Sequence, residues 1–459
     1  MYKLSQYIAE TSFYDEKLNT NKTLVLSTRT LKFFYIDSYR WQKIKDSNFE
    51  QLEIEIFQHL KSIKVIVDSA VDELSEVLIE NRNAVENGKT LQIAIQPSAH
   101  CSFGCGYCGQ KHSKDKLKLN LQDAILKRIE HKIACKPYKV LSICWFGSEP
   151  LSGIQIIRSL SPKIHQLCEK HSLKYSGFII TNGISLSNKI ADELINELKV
   201  TRFEITLDGL AEYHDKRRHL KDGSPTFDKV YANLLNLVHR YGSKVNITIR
   251  SNIDDRNMES VIPLIDKLYQ DNILQHIRIY FAPIHAWGND AHKLIHSKQQ
   301  WAENEIDWMI HLHDRGHASN LLYDRKYVQC MAVTDDAELI DPYGNIFNCT
   351  EVSLTPAYEK NGINIHKIGH VFLENNQEQQ QRDGFRKFVN KEELQKYPCY
   401  SCNIFPICGG ACPKEWMEGK SPCPSIKYNI KERMLLTYIW RQEMHEKSDA
   451  NFEITDNCL

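Results

Sequence analysis

The feature that most constrains this chain is where its cysteines fall. Fourteen of 459 residues are cysteine, and most are clustered. Cys101, Cys105 and Cys108 share one short window, five lie between Cys399 and Cys423, and Cys330 and Cys349 stand between the two groups. Only Cys135, Cys144, Cys168 and Cys458 are isolated, and they read as bland apolar or terminal residues. A disulfide framework belongs to small secreted domains that cannot build a core. A chain of this length has no such need. Clustered cysteines in an intracellular chain read instead as metal or iron–sulfur ligands. Lys+Arg and Asp+Glu are equal at 58 each, so no cationic surplus points to nucleic acid or an anionic membrane. No run approaches the roughly 18 apolar residues of a membrane span, and Met1–Lys17 has no apolar signal core. The expectation is a cytoplasmic protein.

Apolar periodicity divides the chain into three parts and a tail. Residues 1–88 hold an alternating stretch, Lys22–Asp37, that reads as a two-stranded hairpin. A short helix capped by Asp37 or Ser38, a β-branched run at Ile63–Val67 and a helix from Ser69 to before Gly88 follow. The pattern predicts a winged-helix-like module, or else an extension covering the next domain. Residues 89–312 alternate strand and helix, with strands expected at Leu91–Gln96, Val140–Phe146, Tyr175–Thr181, Arg202–Leu207, Val245–Arg250 and Ile277–Phe281. Six β-then-α units predict an α/β fold with a parallel sheet, open or curved into a partial TIM-like barrel. Residues 313–440 are Cys-rich with short strands and a final helix over about Ser425–Glu446, and 441–459 form a tail.

Loops at the C-terminal strand ends of such a barrel carry its chemistry. Here they carry the unusual residues. Cys101-x3-Cys105-x2-Cys108 follows the first strand, Gly147-Ser148-Glu149-Pro150 the second, Thr181-Asn182-Gly183 the third and Asp208-Gly209 the fourth. Three thiolates on one loop would leave one iron of a cubic four-iron cluster open to a ligand. Gly104 and Gly106 allow the loop to wrap closely.

This spacing resembles that of the radical S-adenosylmethionine (SAM) superfamily. The resemblance implies that Cys101, Cys105 and Cys108 hold a [4Fe-4S] cluster whose open iron binds SAM, with Tyr107 as the family's usual aromatic. Gly147-Ser148-Glu149-Pro150 resembles the GGEP loop that receives the SAM amino group, with Ser148 in place of the second glycine. That serine costs little where its φ is negative. Asn182 and Asp208 fall in segments similar to TNG and SLDG, and His214-Asp215-x2-Arg218 follows as in relatives. Arg218, Arg250 and Asn252 are then expected at the SAM site.

The C-terminal cysteines resemble the SPASM extension of these enzymes. By that resemblance Cys399, Cys402, Cys408 and Cys423 bind one auxiliary cluster, and Cys330, Cys349 and Cys412 another, making three [4Fe-4S] clusters in all. Spacing alone leaves a pair of zinc ribbons open. A further cysteine common in relatives is missing after Cys330, and Asp335 and Asp336 lie where it would fall. These two are read as cluster ligand, catalytic proton acceptor or plain turn. The resemblance implies hydrogen abstraction from a ribosomal precursor peptide bound through its leader, which is added as a strand to the N-terminal hairpin. The product would be a thioether or carbon–carbon crosslink, or an epimerised residue. An external electron donor such as flavodoxin or ferredoxin is implied. The alternatives are a sulfatase maturase forming formylglycine, and a non-catalytic iron–sulfur or zinc partner protein.

Overall fold

The computed structural model describes residues 1–16, 19–46, 49, 52–284, 297–372, 382 and 384–447. Cys458 and the tail beyond 447 lie outside the described residues. At the N-terminus come β1 (Tyr2–Leu4), β2 (Ile8–Asp15), β3 (Thr20–Ser27), β4 (Phe33–Asp37), α1 (Ser38–Asp46), α2 (Ile54–Ser62), β5 (Ile66–Asp68) and α3 (Glu73–Glu86). The expected two-stranded hairpin is the β3–β4 half of a three-stranded antiparallel sheet, order β2-β3-β4. The sequence reading missed β2, whose exposed face is polar, and α2.

The central part runs β6 (Thr90–Ile95), α4 (Leu119–Cys135), β7 (Val140–Trp145), α5 (Ile154–Lys170), β8 (Lys174–Thr181), α6 (Asn188–Asn196), β9 (Val200–Thr206), α7 (Ala211–Arg217), α8 (Phe227–Tyr241), β10 (Asn246–Ile253), α9 (Val261–Gln270) and β11 (Ile277–Pro283). The six expected strands are these six, paired in parallel in sequence order. Amphipathic helices bury one stripe against the sheet, as α9 does through Val261, Leu264, Ile265 and Leu268. Fully buried Leu91, Ile143, Ile179, Phe203 and Ile249 form the strand side of that core.

After α10 (Lys298–Asp314) the Cys-rich part does not stand apart. Its first strand, β12 (Ala337–Ile340), pairs in parallel with β6, and β13 (Asn345–Phe347) pairs with β12. A ribbon of β14 (Glu359–Lys360) and β15 (Ile363–Asn364) follows, and β16 (Lys367–His370) then closes the main sheet, whose order is β11-β10-β9-β8-β7-β6-β12-β13-β16. The last helix, Ile426–Lys447, extends into the segment expected to be tail. It buries Ile430 and Met434, whereas Ile439 faces solvent.

The β6–β12 junction buries one carboxylate. Glu338 on β12 is fully buried and takes two hydrogen bonds from Arg128 at 2.8 Å, with Lys132 Nζ at 2.8 Å and Arg382 also paired to it. Burial pushes its carboxyl up, but these cations outweigh burial and hold it at about 2. A depressed carboxyl contributes stability that is complete above its unfolded value and is lost as pH falls toward the folded one. Glu338→Gln should therefore cost about 3–5 kcal/mol at neutral pH, because it strands buried cations. That penalty should shrink between about pH 4.5 and pH 2, as read by denaturant unfolding across pH.

Candidate active site

A cavity of about 220 Å³ opens at the C-terminal ends of β6 to β11. Its wall includes all three thiols of the first cysteine group, Cys101, Cys105 and Cys108. Gly104 N–H donates to the His219 carbonyl and Gly106 N–H to that of Arg217, which fastens the cysteine loop to the segment after α7. Asn182 Nδ2 donates to Cys101 Sγ at 3.8 Å. Burial, and then the nearby Glu149 carboxyl, push the Cys101 thiol up to about 12; burial also pushes up Cys105. Three cysteine thiols on one wall of the cavity are a donor set that fits an iron–sulfur cluster.

The expected site residues separate into two layers. Tyr107, Gly147, Ser148, Asn182, Arg218, Arg250 and Asn252 line the cavity. Glu149 and Asp208 do not. Glu149 is 2% exposed and accepts from Leu151 N–H at 2.9 Å, Thr181 Oγ1 at 2.7 Å and Asn182 N–H at 2.8 Å. It thus joins the β7 and β8 loops from behind, and burial keeps its carboxyl above the usual range despite three donors. Asp208, fully buried, accepts from the Tyr107 hydroxyl at 2.6 Å and from Asn252 N–H at 2.9 Å. Tyr107 in turn accepts from Arg218 Nη1 at 2.5 Å and Asn252 Nδ2 at 3.1 Å. These bonds fix the loops after β6, β9 and α7 to the end of β10. Glu149 and Asp208 thus stand behind the cavity wall and brace the loops that form it.

Ser148 sits at φ +33°, not at the negative φ that would make it cheap. A side chain there is strained by roughly 1–2 kcal/mol. Its Oγ is buried without a partner among the described residues.

Asp335 and Asp336 are not at the cavity. They precede β12 at the end of the sheet where β6 begins, and Gln92 N–H donates to the Asp336 carbonyl. Lys136 Nζ and the Tyr138 hydroxyl hold Asp336 at 2.6 and 2.7 Å, and Arg386 and Arg382 pair with Asp335. Parallel pairing of β12 with β6 sends the start of β12 to the face opposite the cysteine loop. The carboxylates that do line the cavity are Glu204 on β9 and Glu351, two residues after Cys349. Glu204 alternates with Ile205 on the same lumen face as Thr206, a period-two signal available in the sequence. Glu351, Gln110 and His112 carried no such signal. Burial, then Lys221, bring His112 down to about 4, so it is neutral at neutral pH.

The second cysteine group surrounds its own pocket. Cys399, Cys402, Cys408 and Cys423 line one small apolar recess with Phe405 and Trp416. Burial, then Cys408 and its fellow thiols, push Cys399 up to about 12. Lys427 Nζ lies 3.5 Å from Cys423 Sγ. Burial raises the Cys330 and Cys349 thiols; Cys412 adds to the first, and Glu351, Cys412 and Cys330 add to the second. Among the described residues no three His, Cys, Asp or Glu side chains close on a single-ion point.

Comparison with known proteins agrees with this geometry. Residues 95–268 match the radical SAM superfamily. Over 144 residues the chain is 33% identical to an uncharacterised protein of Synechocystis, a match spanning 30% of this chain and only 35% of that relative. It is 24% identical over 369 residues to a serine-type anaerobic sulfatase-maturating enzyme of Bacteroides thetaiotaomicron, covering 71% of this chain and 83% of the relative. In fold it is similar to native anSMEcpe with bound AdoMet, at TM-score 0.57 and 17% identity, over 77% of this chain and 98% of the other. It is also similar to Streptococcus suis SuiB bound to its precursor peptide SuiA, at TM-score 0.50 and 16% identity, over 93% and 99%. The barrel is a radical SAM domain, and the protein is an enzyme.

Two outcomes test the two layers. Tyr107→Phe leaves Asp208, Arg218 and Asn252 short of a buried partner and should cost about 1–3 kcal/mol in denaturant unfolding. Asp335→Ala with Asp336→Ala should leave dithionite-driven SAM cleavage within about twofold, as measured by 5′-deoxyadenosine release, because neither carboxylate reaches the cavity.

Proposed function

We propose that this radical SAM enzyme modifies a ribosomally made precursor peptide, installing a crosslink or epimerising a residue. The observation that carries the reading is the N-terminal sheet. One face, through Val25 and Ile36, packs on Trp41 of α1 and Ile56 and Leu60 of α2. The other face, through Ala9, Leu24 and Leu26, packs on Ile404, Ile407, Ile430 and Met434 of the Cys-rich part and last helix. With both faces covered, the sheet offers its edges. Among the described residues no strand pairs with the outer side of β4. Such an edge takes an extended peptide by main-chain hydrogen bonds. The share of this chain covered rises from 77% against anSMEcpe to 93% against SuiB, the structure that holds a precursor peptide.

SAM bound with a four-iron cluster supplies hydrogen-atom abstraction from an unactivated carbon. This chain's residues do the rest. Cys101, Cys105 and Cys108 would hold the cluster. The Tyr107–Asp208–Arg218–Asn252 network keeps their loop and the β10 end in one geometry. Phe146, Ile180, Pro283 and Ile284 line the cavity and limit water. Arg250 and Glu204 present charge from β10 and β9, and Glu351 from the Cys-rich part. Cys399, Cys402, Cys408 and Cys423 would hold one auxiliary cluster, and Cys330, Cys349 and Cys412 the other. An external one-electron donor of the flavodoxin or ferredoxin kind would feed the site.

Sulfatase maturation is the second reading, favoured by the curated relatives of Bacteroides thetaiotaomicron and Clostridium novyi. Product analysis separates the two: epimerisation conserves mass and Cys-derived formylglycine exchanges sulfur for oxygen, whereas a crosslink and Ser-derived formylglycine both lose two hydrogens and are told apart by capture of the aldehyde with a hydrazide. Anaerobically purified protein should carry about twelve irons per chain and no zinc, and a Cys402→Ser, Cys408→Ser double variant about eight. Zinc in place of the missing irons would limit iron–sulfur chemistry to the barrel.

A further inference from the structure

Three loops meet at one glutamine. Gln110, two residues after Cys108, lines the cavity. Its Oε1 accepts the Ser148 N–H at 3.1 Å, and its Nε2 donates to the Ser353 carbonyl at 3.4 Å. The next residue repeats the tie, with Lys111 N–H donating to the Leu354 carbonyl at 2.7 Å. Behind them the Ser353 hydroxyl donates to Gln96 Oε1 at 3.0 Å, and Gln96 and Ser353 are both fully buried. Gln96 lies flush against Gly147, since a Cβ there would come within 2.1 Å of Gln96 Nε2. Gly147, at φ +82°, is thus required both by its conformation and by this close approach.

These contacts fix one peptide plane. The Gly147–Ser148 bond is trans, so its C=O and N–H point in opposite directions. Because the N–H is held by Gln110, the Gly147 carbonyl is turned away from Gln110. Among the described residues no donor reaches that carbonyl. Two non-glycine residues at positive φ, Ser148 at +33° and Leu354 at +58°, flank the tie and are held against their own preference.

We propose that Gln110 is a positioning residue that fixes the Gly147–Ser148 peptide so that the Gly147 carbonyl stands ready for the ammonium group of SAM, and that the Ser353–Leu354 loop after Cys349 seats Gln110 for this task. The Cys-rich part then has a role in SAM binding beyond holding clusters. The inference rests on the cavity being the SAM site.

The test is equilibrium dialysis of radiolabelled SAM against reconstituted enzyme at equal iron content, with melting curves to confirm folding. Gln110→Met keeps the bulk but neither accepts nor donates, and should raise the SAM dissociation constant about tenfold. Gln110→Glu still accepts the Ser148 N–H and should recover most of that loss, to within about threefold of wild type. Ser353→Ala, which frees Gln96, should fall between the two. Unchanged affinity in Gln110→Met overturns the proposal. Equal loss in Gln110→Glu also overturns it, since the side chain would then act by packing alone. Failure of the wild-type protein to bind SAM would instead remove the SAM-site reading, and this inference with it.

Discussion

The pairing of β12 with β6 is the constraint on which the rest of the structure depends. Four register positions, from Ala337 opposite Gln92 to Ile340 opposite Ile95, continue the barrel sheet into the Cys-rich part. A parallel ladder buried on both faces is stabilised by apolar packing and by satisfied main-chain groups. Here it is also locked by Glu338 and its cations, where a loss of register would strand charges away from water. That lock sets which residues of the Cys-rich part reach the cavity. The start of β12, with Asp335 and Asp336, is sent to the far face. The loop after β13, with Cys349, Glu351 and Ser353, is brought to the near one.

The cavity itself is built of loops that have little regular structure of their own. They hold their places by side chain to main chain bonds between loops, such as Glu149 to Asn182, Asp208 to Asn252 and Gln110 to Ser148. Buried polar groups of this kind are stable only when fully paired. The arrangement therefore concentrates polar partners behind the wall and leaves a few buried atoms, among them the Ser148 hydroxyl, without a partner among the described residues. A site pre-organised in this way spends little on reorganisation when its ligand arrives.

The N-terminal part is integrated, not appended. Asn403, which follows Cys402, donates to the Ile8 carbonyl at 2.9 Å, and the Thr28 hydroxyl donates to the Asn403 carbonyl. Arg29 bridges Glu76 and Glu80, and Arg325 from the Cys-rich part joins the same Glu80. The loop that carries Cys402 and Cys408 and the sheet with the open edge therefore share one hydrophobic core, with Ile404, Ile407 and Leu24 in it.

The sequence by itself determined the barrel and the grouping of its cysteines. Period-two and period-3.6 patterns are local, and the cysteine spacings are local too, so residue order is enough to reveal them. It also indicated which strand ends carry the chemistry, because alternation of strand and helix puts those loops on one face. Three things were decided only by the tertiary structure. Whether Asp335 or Glu351 faces the cavity depends on a strand pairing between residues more than 240 positions apart, Ala337 with Gln92. Whether Glu149 touches the cavity or braces it depends on donors from another loop. Whether Ser148 is strained depends on a dihedral held by Gln110. Each is a contact between distant segments, and residue order carries no record of such contacts until the chain has closed on itself.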